Sequence, residues 1–259
     1  MATLPIMPVV RAAFTRVFNN PNQAFAVGLP YFVLLFVIGV IGTLSAPADP
    51  ASMGVGAGFL SIVLLVLQLL IYTAMAVAWH RVTLLGYNAD KGLFRVGLGP
   101  REWRFLGYSL LIYPLVAVAV ALTLLAGAGG TALAILVGIA VYVVCIYLIL
   151  RCSLVLPATA ADHPASLKLS WQQTAGNAGP MFLIGLIIAA AFLVTIFVVS
   201  FVIGLVFGVV TGGLGTVGSI VLQLLLIPLQ LLGTFVIISG LSYMYRYLTN
   251  HPDPLAVTD

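Results

Sequence analysis

Six long apolar segments dominate the chain, and the short segments between them carry most of its charged side chains. The apolar segments are 25–45, 59–85, 105–126, 132–156, 181–207 and 217–248. A bilayer core about 30 Å thick requires about 20 apolar residues in a helix that crosses it. The pattern therefore predicts an all-α polytopic membrane bundle of six transmembrane helices in three hairpins.

The polar segments divide this single membrane domain into parts. They predict an entry segment at 1–24, hairpins at 25–85, 105–156 and 181–248, a cytoplasmic loop at 86–104, an interfacial segment at 157–180 and a tail at 249–259. Each hairpin follows a short polar or amphipathic segment and ends in a helix that carries a cation. This recurrence indicates a threefold internal repeat, as found in other membrane folds.

The entry segment has the spacing of an amphipathic helix. Val9, Val10 and Ala13 recur at helical intervals, whereas Arg11 and Arg16 fall on the other side. A helix of this kind lies in the membrane interface with its apolar side toward the lipid. We expect such interfacial helices on the cytoplasmic side of the membrane, at the entry segment and near 166–177.

The distribution of charge predicts the orientation of the bundle. All ten Lys and Arg residues fall on one side of the predicted topology, and the opposite loops 46–58, 127–131 and 208–216 contain none. Cytoplasmic loops are enriched in Lys and Arg, so both termini are expected in the cytoplasm. Topology thus accounts for the pI of about 9.2, and we exclude nucleic acid as a partner.

The titratable residues give little support to an enzyme. The six acidic residues and the three histidines all lie in predicted loops, at helix ends or in the tail. Asp162-His163 could serve acid/base chemistry, but a helix cap beside a solvated imidazole is the favoured interpretation. Cys145 and Cys152 lack the spacing of a metal or redox motif. We expect no catalytic residue, no metal and no cofactor.

Three glutamines lie inside the predicted spans, namely Gln68, Gln223 and Gln230. Amides at this depth commonly form hydrogen bonds between helices. A polar permeation path is the alternative, but three amides are few for a water-filled path. We therefore favour interhelical contacts for these residues.

An arginine closes each of the three returning helices, at Arg81, Arg151 and Arg246. If the hairpins surround a common axis, these guanidinium groups could bind one anionic lipid headgroup, because the guanidinium group binds phosphate through two hydrogen bonds. The simpler alternative is that each arginine only anchors its helix by extending to the interface. Trp79, near Arg81, is then expected in the aromatic belt of the interface.

Two motifs flank the predicted interfacial segment. They are LRCSLVLPA at 150–158 and SWQQTAGN at 170–177. They resemble the patterns Arg-x-Ser-Leu-x-x-Pro-Ala and Trp-x-x-Thr-x-Gly-Asn of YciC-like bacterial proteins and of the membrane domain attached to some glycerophosphodiester phosphodiesterases. The resemblance covers about a fifth of the chain and implies a helical bundle of the bacterial inner membrane. The catalytic barrel of those phosphodiesterases has no counterpart here, so the resemblance does not imply that activity.

These observations predict a non-enzymatic bacterial inner-membrane protein that binds or organises lipid or a partner membrane protein. A permease for a small or lipidic substrate is the alternative. The expected partners are membrane lipids, anionic ones included, and a second membrane protein or another copy of the chain. A hydrated cavity that reaches the middle of the bilayer would favour the permease.

Overall fold

The computed structural model describes residues 3–47, 54–86, 97–128, 132–211, 215–250 and 255. These ranges contain helices and no strand. The helices are α1 (Ile6–Phe18), α2 (Pro21–Ser45), α3 (Val55–Leu85), α4 (Pro100–Ile112), α5 (Pro114–Ala128), α6 (Ala132–Cys152), α7 (Val155–Ala160), α8 (Leu167–Gln173), α9 (Ala178–Thr211) and α10 (Gly215–Leu248). The predicted loop and tail residues Asp49, Asp90 and His251 lie outside the described ranges.

Six helical segments are long and apolar enough to cross a membrane. They are Pro21–Ser45, Val55–Leu85, Pro100–Leu125, Leu136–Ala160, Ala178–Phe207 and Gly215–Leu248. Each overlaps one of the predicted spans and extends a few residues beyond it on at least one side. The prediction of an all-α polytopic membrane bundle is therefore confirmed.

The third span consists of two helices, α4 and α5, that meet at a proline. The Tyr113 N–H donates to the Ser109 carbonyl over 2.9 Å and completes the last turn of α4. Pro114 has no N–H to donate to the Leu110 carbonyl, and its ring would collide with that carbonyl in a continuous helix. The chain consequently starts a new helix at Pro114.

The fourth span also consists of two helices, and the predicted start of the interfacial segment at residue 157 is wrong, because the span continues to Ala160. α6 ends at Cys152, and α7 starts at Val155 with Pro157 in its first turn. A proline there removes no intrahelical hydrogen bond. All six residues of α7 are buried. The segment therefore packs inside the bundle, where the sequence predicted the start of an interfacial segment.

The bundle is organised around α10, because α1, α2, α3 and α9 all pack against it. The main hydrophobic core joins these helices and includes Trp79, Phe235 and Tyr243. A smaller core between α3, α4 and α7 includes Phe105 and Leu156. α5 and α6 pack mainly against each other, so their hairpin lies beside the main core.

The entry segment forms the predicted helix α1, but neither its apolar side nor Arg16 lies where the pattern placed it. Val9, Val10 and Ala13 are buried in the protein core, whereas the prediction placed this apolar side toward the lipid. Arg16, predicted on the polar side, is fully buried, and its Nη2 donates to the Val82 carbonyl over 3.0 Å. The polar side of α1 therefore faces the protein at Arg16, whereas Arg11 on that side is exposed. The helix packs in the core of the bundle.

Several helix ends meet at one end of the bundle, which we call the basic end. It comprises the C-terminal ends of α3, α6 and α10, the N-terminal end of α4, and the short helices α7 and α8. Hydrogen bonds connect these elements to one another and to α1 through the pairs Arg16–Val82, Arg81–Asp162, Arg101–Asp162, His163–Tyr245 and Ser170–Arg151. The described arginines of these elements consequently share one end of the protein.

Candidate functional site

A cavity of about 600 Å³ lies between α2, α3 and the start of α4 at the basic end. Its deep wall is mostly apolar and is lined by Val27, Tyr31, Ala74, Val77, Ala78 and Val82. From Val82 to Ala74 this wall extends about 12 Å along α3, at about 1.5 Å per residue. Residues 97–102, Arg104 and Asp162 line the rest. We call it the α2–α4 cavity.

The mouth of the α2–α4 cavity carries charged side chains and continues into a second groove. Arg101, Glu102, Arg104 and Asp162 lie at the mouth. The second groove has a volume of about 460 Å³, shares Arg101, Arg104 and Asp162, and continues toward His163. An apolar wall below a charged mouth fits a ligand that has an apolar chain and a polar head.

Asp162 joins two arginines from different helices at this mouth. Its carboxylate accepts hydrogen bonds from Arg101 Nε at 2.8 Å and Nη2 at 2.7 Å, and from Arg81 Nη1 at 2.9 Å. The hydrogen bonds from Arg101, followed by its charge and that of Arg81, hold the pKa of Asp162 below its usual value. Asp162 is therefore ionised at neutral pH and holds α3, α4 and the end of α7 together.

Asp162 is not the expected helix cap, whereas the imidazole of His163 is exposed as expected. Asp162 follows the end of α7 with a positive φ of 58°, and its carboxylate binds arginines. His163 Nδ1 lies 3.0 Å from the Tyr245 hydroxyl on α10. Both residues connect elements of the basic end, and neither geometry provides a nucleophile.

The other two charged residues at the mouth differ in their contacts. The Glu102 carboxylate accepts from the Gly99 N–H over 2.9 Å and so caps the start of α4. Arg104 is exposed and lines both the α2–α4 cavity and the second groove. It has no hydrogen-bond or ion-pair partner in the part of the chain that the structure describes. Among the described residues at the mouth, Arg104 is therefore the cation that is available to an incoming anion.

The three arginines that close the returning helices have different protein partners. Arg81 pairs with Asp162. The Arg151 guanidinium carbon lies 4.4 Å from the centre of the Trp171 ring, and that of Arg246 lies 5.9 Å from the centre of Tyr243. Each is engaged with protein side chains rather than extended as a simple anchor. Their sharing of one headgroup stays a prediction.

Trp79 and His80 do not lie in an interfacial belt, contrary to the prediction. Trp79 is fully buried, stacks on Phe235 with ring centres 4.3 Å apart, and donates through Nε1 to the Phe235 carbonyl and the Ser239 hydroxyl, both at 2.9 Å. His80 is also buried, and its Nδ1 lies 2.8 Å from the Ser242 hydroxyl. Both residues fix α3 against α10, so their role here is structural.

The three glutamines within the spans differ in their surroundings. Gln223 on α10 donates through Nε2 to the Thr43 hydroxyl on α2 over 2.6 Å. The side chains of Gln68 and Gln230 make no hydrogen bond within the described ranges, and Gln230 is exposed. None of the three lines the α2–α4 cavity. The glutamines therefore do not extend this cavity into a polar path.

The sequence analysis did not assign Arg101 and Arg104 to a site. It used both arginines only as basic residues of a predicted cytoplasmic loop, which indicate the orientation of the bundle. A signal was present in the run PREWRFLGY at 100–108, where two arginines one turn apart begin a helix. Among the described residues, no group of three His, Cys, Asp or Glu side chains is placed to hold a metal ion.

Comparisons with known proteins assign neither a family nor a function to the chain. No protein-family model, characterised protein or solved structure matches the chain. The resemblance to YciC-like proteins remains an expectation that rests on the two motifs alone. The six spans establish a membrane-embedded protein, and the finer function must be argued from the geometry of the site.

Proposed function

We propose that this membrane protein is not an enzyme and that it binds an anionic lipid in the α2–α4 cavity. The observation that carries the proposal is the apolar wall below a mouth where Arg104 has no protein partner in the described ranges. Acyl carbons fit against Val27 and Ala78, while a phosphate at the mouth would accept hydrogen bonds from Arg104. The volume lies within the usual range for small-molecule sites, about 300–1,000 Å³.

The orientation proposed with this function places the basic end in the cytoplasm of a bacterium, at the inner membrane. Short loops rich in Lys and Arg favour the cytoplasmic side. The cytoplasmic leaflet is also rich in anionic lipids, which attract basic segments close to the surface. The opening of the cavity would then face the headgroups of that leaflet.

The lipid-binding function is favoured over the permease by the limits of the cavity. A permeation path needs polar lining toward the other end of the bundle, whereas the deep wall ends at Tyr31 and Ala74. The interhelical polar contact Gln223–Thr43 joins α10 to α2 and lies outside that lining. A lipid bound from one side needs no such path.

Two variants test the proposal through the lipid that stays bound after extensive detergent washing. Arg104→Gln removes the available cation and should lower anionic lipid occupancy about fivefold, the effect expected for one arginine near anionic headgroups. Ala78→Phe places a ring in the cavity and should displace the acyl chain. Native mass spectrometry counts the lipids on each variant.

Matched controls separate these effects from general changes in the protein. Arg11→Gln alters an exposed arginine on α1, and Ala190→Phe adds a ring on an exposed position of α9. Both should bind the same amount of lipid as the unmodified protein. The proposed site would be refuted if the Arg104→Gln and Ala78→Phe variants bound as much lipid as the unmodified protein. A bound lipid without net charge would also refute it.

A further inference from the structure

A second cationic site lies where α6 meets α8, away from the α2–α4 cavity. The Arg151 guanidinium carbon lies 4.4 Å from the ring centre of Trp171 and 5.8 Å from that of Tyr147. The two rings meet edge to face, with centres 5.9 Å apart and an angle of 90° between their planes. Neither ring nor the arginine lines the α2–α4 cavity or the adjoining groove.

Two hydroxyl groups hold the backbone of Arg151 in place. Ser170 Oγ and Thr174 Oγ1, both in the α8 region, donate to the Arg151 carbonyl at 2.8 and 3.2 Å. Both hydroxyl-bearing residues are buried. Backbone and side chain of Arg151 are thus both fixed against the same short segment, unlike those of an arginine that extends freely to the interface.

The charge of Arg151 has no counterion in the described part of the chain. No carboxylate there lies within ion-pair distance, although only 7% of the residue is exposed. Its Nε is buried and has no hydrogen-bond acceptor among the residues that the structure describes. Aromatic rings attract the face of a guanidinium group, but the N–H groups at its edge still require an acceptor. Burial of a charge without an anion is unfavourable, so an anion beside this guanidinium group would stabilise the arrangement.

The surroundings indicate which anion completes it. Tyr147 and Trp171 are 44% and 38% exposed, as expected for aromatic side chains at the level of lipid headgroups. Lys168 is exposed one turn before Trp171 on α8 and adds positive charge nearby. Guanidinium binds phosphate through two parallel hydrogen bonds. The ligand chemistry is therefore a phosphate held beside aromatic rings.

We propose that Arg151, with Trp171 and Tyr147, binds the phosphate of an anionic phospholipid at the edge of the bundle. This lipid is distinct from the one in the α2–α4 cavity, because the two sites share no residue. The proposed site also differs from the predicted site in which Arg81, Arg151 and Arg246 share one headgroup. Here Arg151 binds the phosphate together with its own aromatic neighbours. Either lipid site can fail without affecting the other.

Quenching of Trp171 fluorescence by brominated lipids tests this site in the full-length protein. The protein is placed in phosphatidylcholine nanodiscs that contain phosphatidylglycerol or phosphatidylcholine brominated close to the headgroup. The Trp171 signal is the difference between the protein and its Trp171→Phe variant. Brominated phosphatidylglycerol should quench this signal at about fivefold lower content than brominated phosphatidylcholine.

Substitutions of the arginine show whether it causes the preference. Arg151→Gln should make the two lipids equal. Arg151→Lys should give an intermediate ratio, because an ammonium group keeps the charge but loses the planar pair of donors. Arg11→Gln, at an exposed position of α1, should leave the ratio unchanged.

Three results would overturn the proposal. One is equal quenching by both lipids in the unmodified protein. Another is an unchanged preference in Arg151→Gln or, where that variant does not fold, in Arg151→Lys. The last is reversal of the quenching by added inorganic phosphate at constant ionic strength, which would assign the site to soluble phosphate instead of a lipid.

Discussion

Replacing Trp79 with alanine is expected to lower the free energy of unfolding by about 2–4 kcal/mol, a large-to-small core substitution in a membrane protein. The indole is fully buried, stacks on Phe235 and donates to the Phe235 carbonyl and the Ser239 hydroxyl. Because lipid is as apolar as the core, the cost comes from lost packing and hydrogen bonding more than from transfer to water. Unfolding by SDS in mixed micelles measures it.

Two control variants identify the source of the Trp79 effect. Trp79→Phe keeps the stacked ring but loses the N–H donor, and should cost about 1 kcal/mol, the usual value of a hydrogen bond. Trp103→Ala removes the same side chain from α4, where 54% of it is exposed, and should change stability little. Equal costs at Trp79 and Trp103 would contradict the buried position of Trp79.

Replacing Gly233 with alanine is expected to destabilise the contact between α10 and α9. A Cβ atom at Gly233 would lie 2.8 and 3.0 Å from Cδ1 and Cγ of Phe192. These atoms lie near the base of a buried ring, so the ring cannot turn away without moving α9. Overpacking of this kind costs about 1–3 kcal/mol, which exceeds the gain of about 1 kcal/mol in helix propensity.

Gly240→Ala is the matched control on the same helix. A Cβ atom at Gly240 would lie 2.9 Å from Cδ1 of Ile188, the far end of a flexible side chain. Rotation of that side chain removes the clash, so the loss should be offset by helix propensity. The same SDS titration compares both variants. A Gly240→Ala protein that loses as much stability as Gly233→Ala would argue against this packing of α9 on α10.

The sequence was sufficient to predict the spans, because the length of an apolar run is set by the thickness of the bilayer. It did not show which side of each helix faces its neighbours. In a membrane, lipid and protein interior are both apolar, so a buried Ile184 and an exposed Leu183 are the same type of residue. Helix packing therefore had to come from the structure.

Polar residues were misplaced for a related reason. Arg16 and His80 were expected at the surface of the bundle, yet both are buried. Their partners are distant in sequence, a carbonyl at Val82 and a hydroxyl at Ser242. A signal existed in the small and polar residues near the end of α10, since Gly, Ser and Thr are enriched where membrane helices approach closely.

The candidate site was only partly predictable. The sequence identified Arg81 and Asp162 as separate features of helix ends, but nothing in their spacing showed that Asp162 binds both Arg81 and Arg101. The α2–α4 cavity is lined by the start of α4 and by Asp162 after α7, which the sequence had placed in a loop and in an interfacial segment. Long-range placement of this kind is not encoded in local periodicity.

Labelling by a photoactivatable lipid tests most directly whether the α2–α4 cavity holds an anionic phospholipid. Phosphatidylglycerol with a diazirine in one acyl chain is added to the purified protein, activated with light, and located by peptide mass spectrometry. We predict adducts at Tyr31 and Ala78, deep in the cavity, that disappear in the Arg104→Gln variant and are weak with the phosphatidylcholine analogue. Adducts confined to exposed positions such as Ala190, with none in the cavity, would contradict lipid binding there.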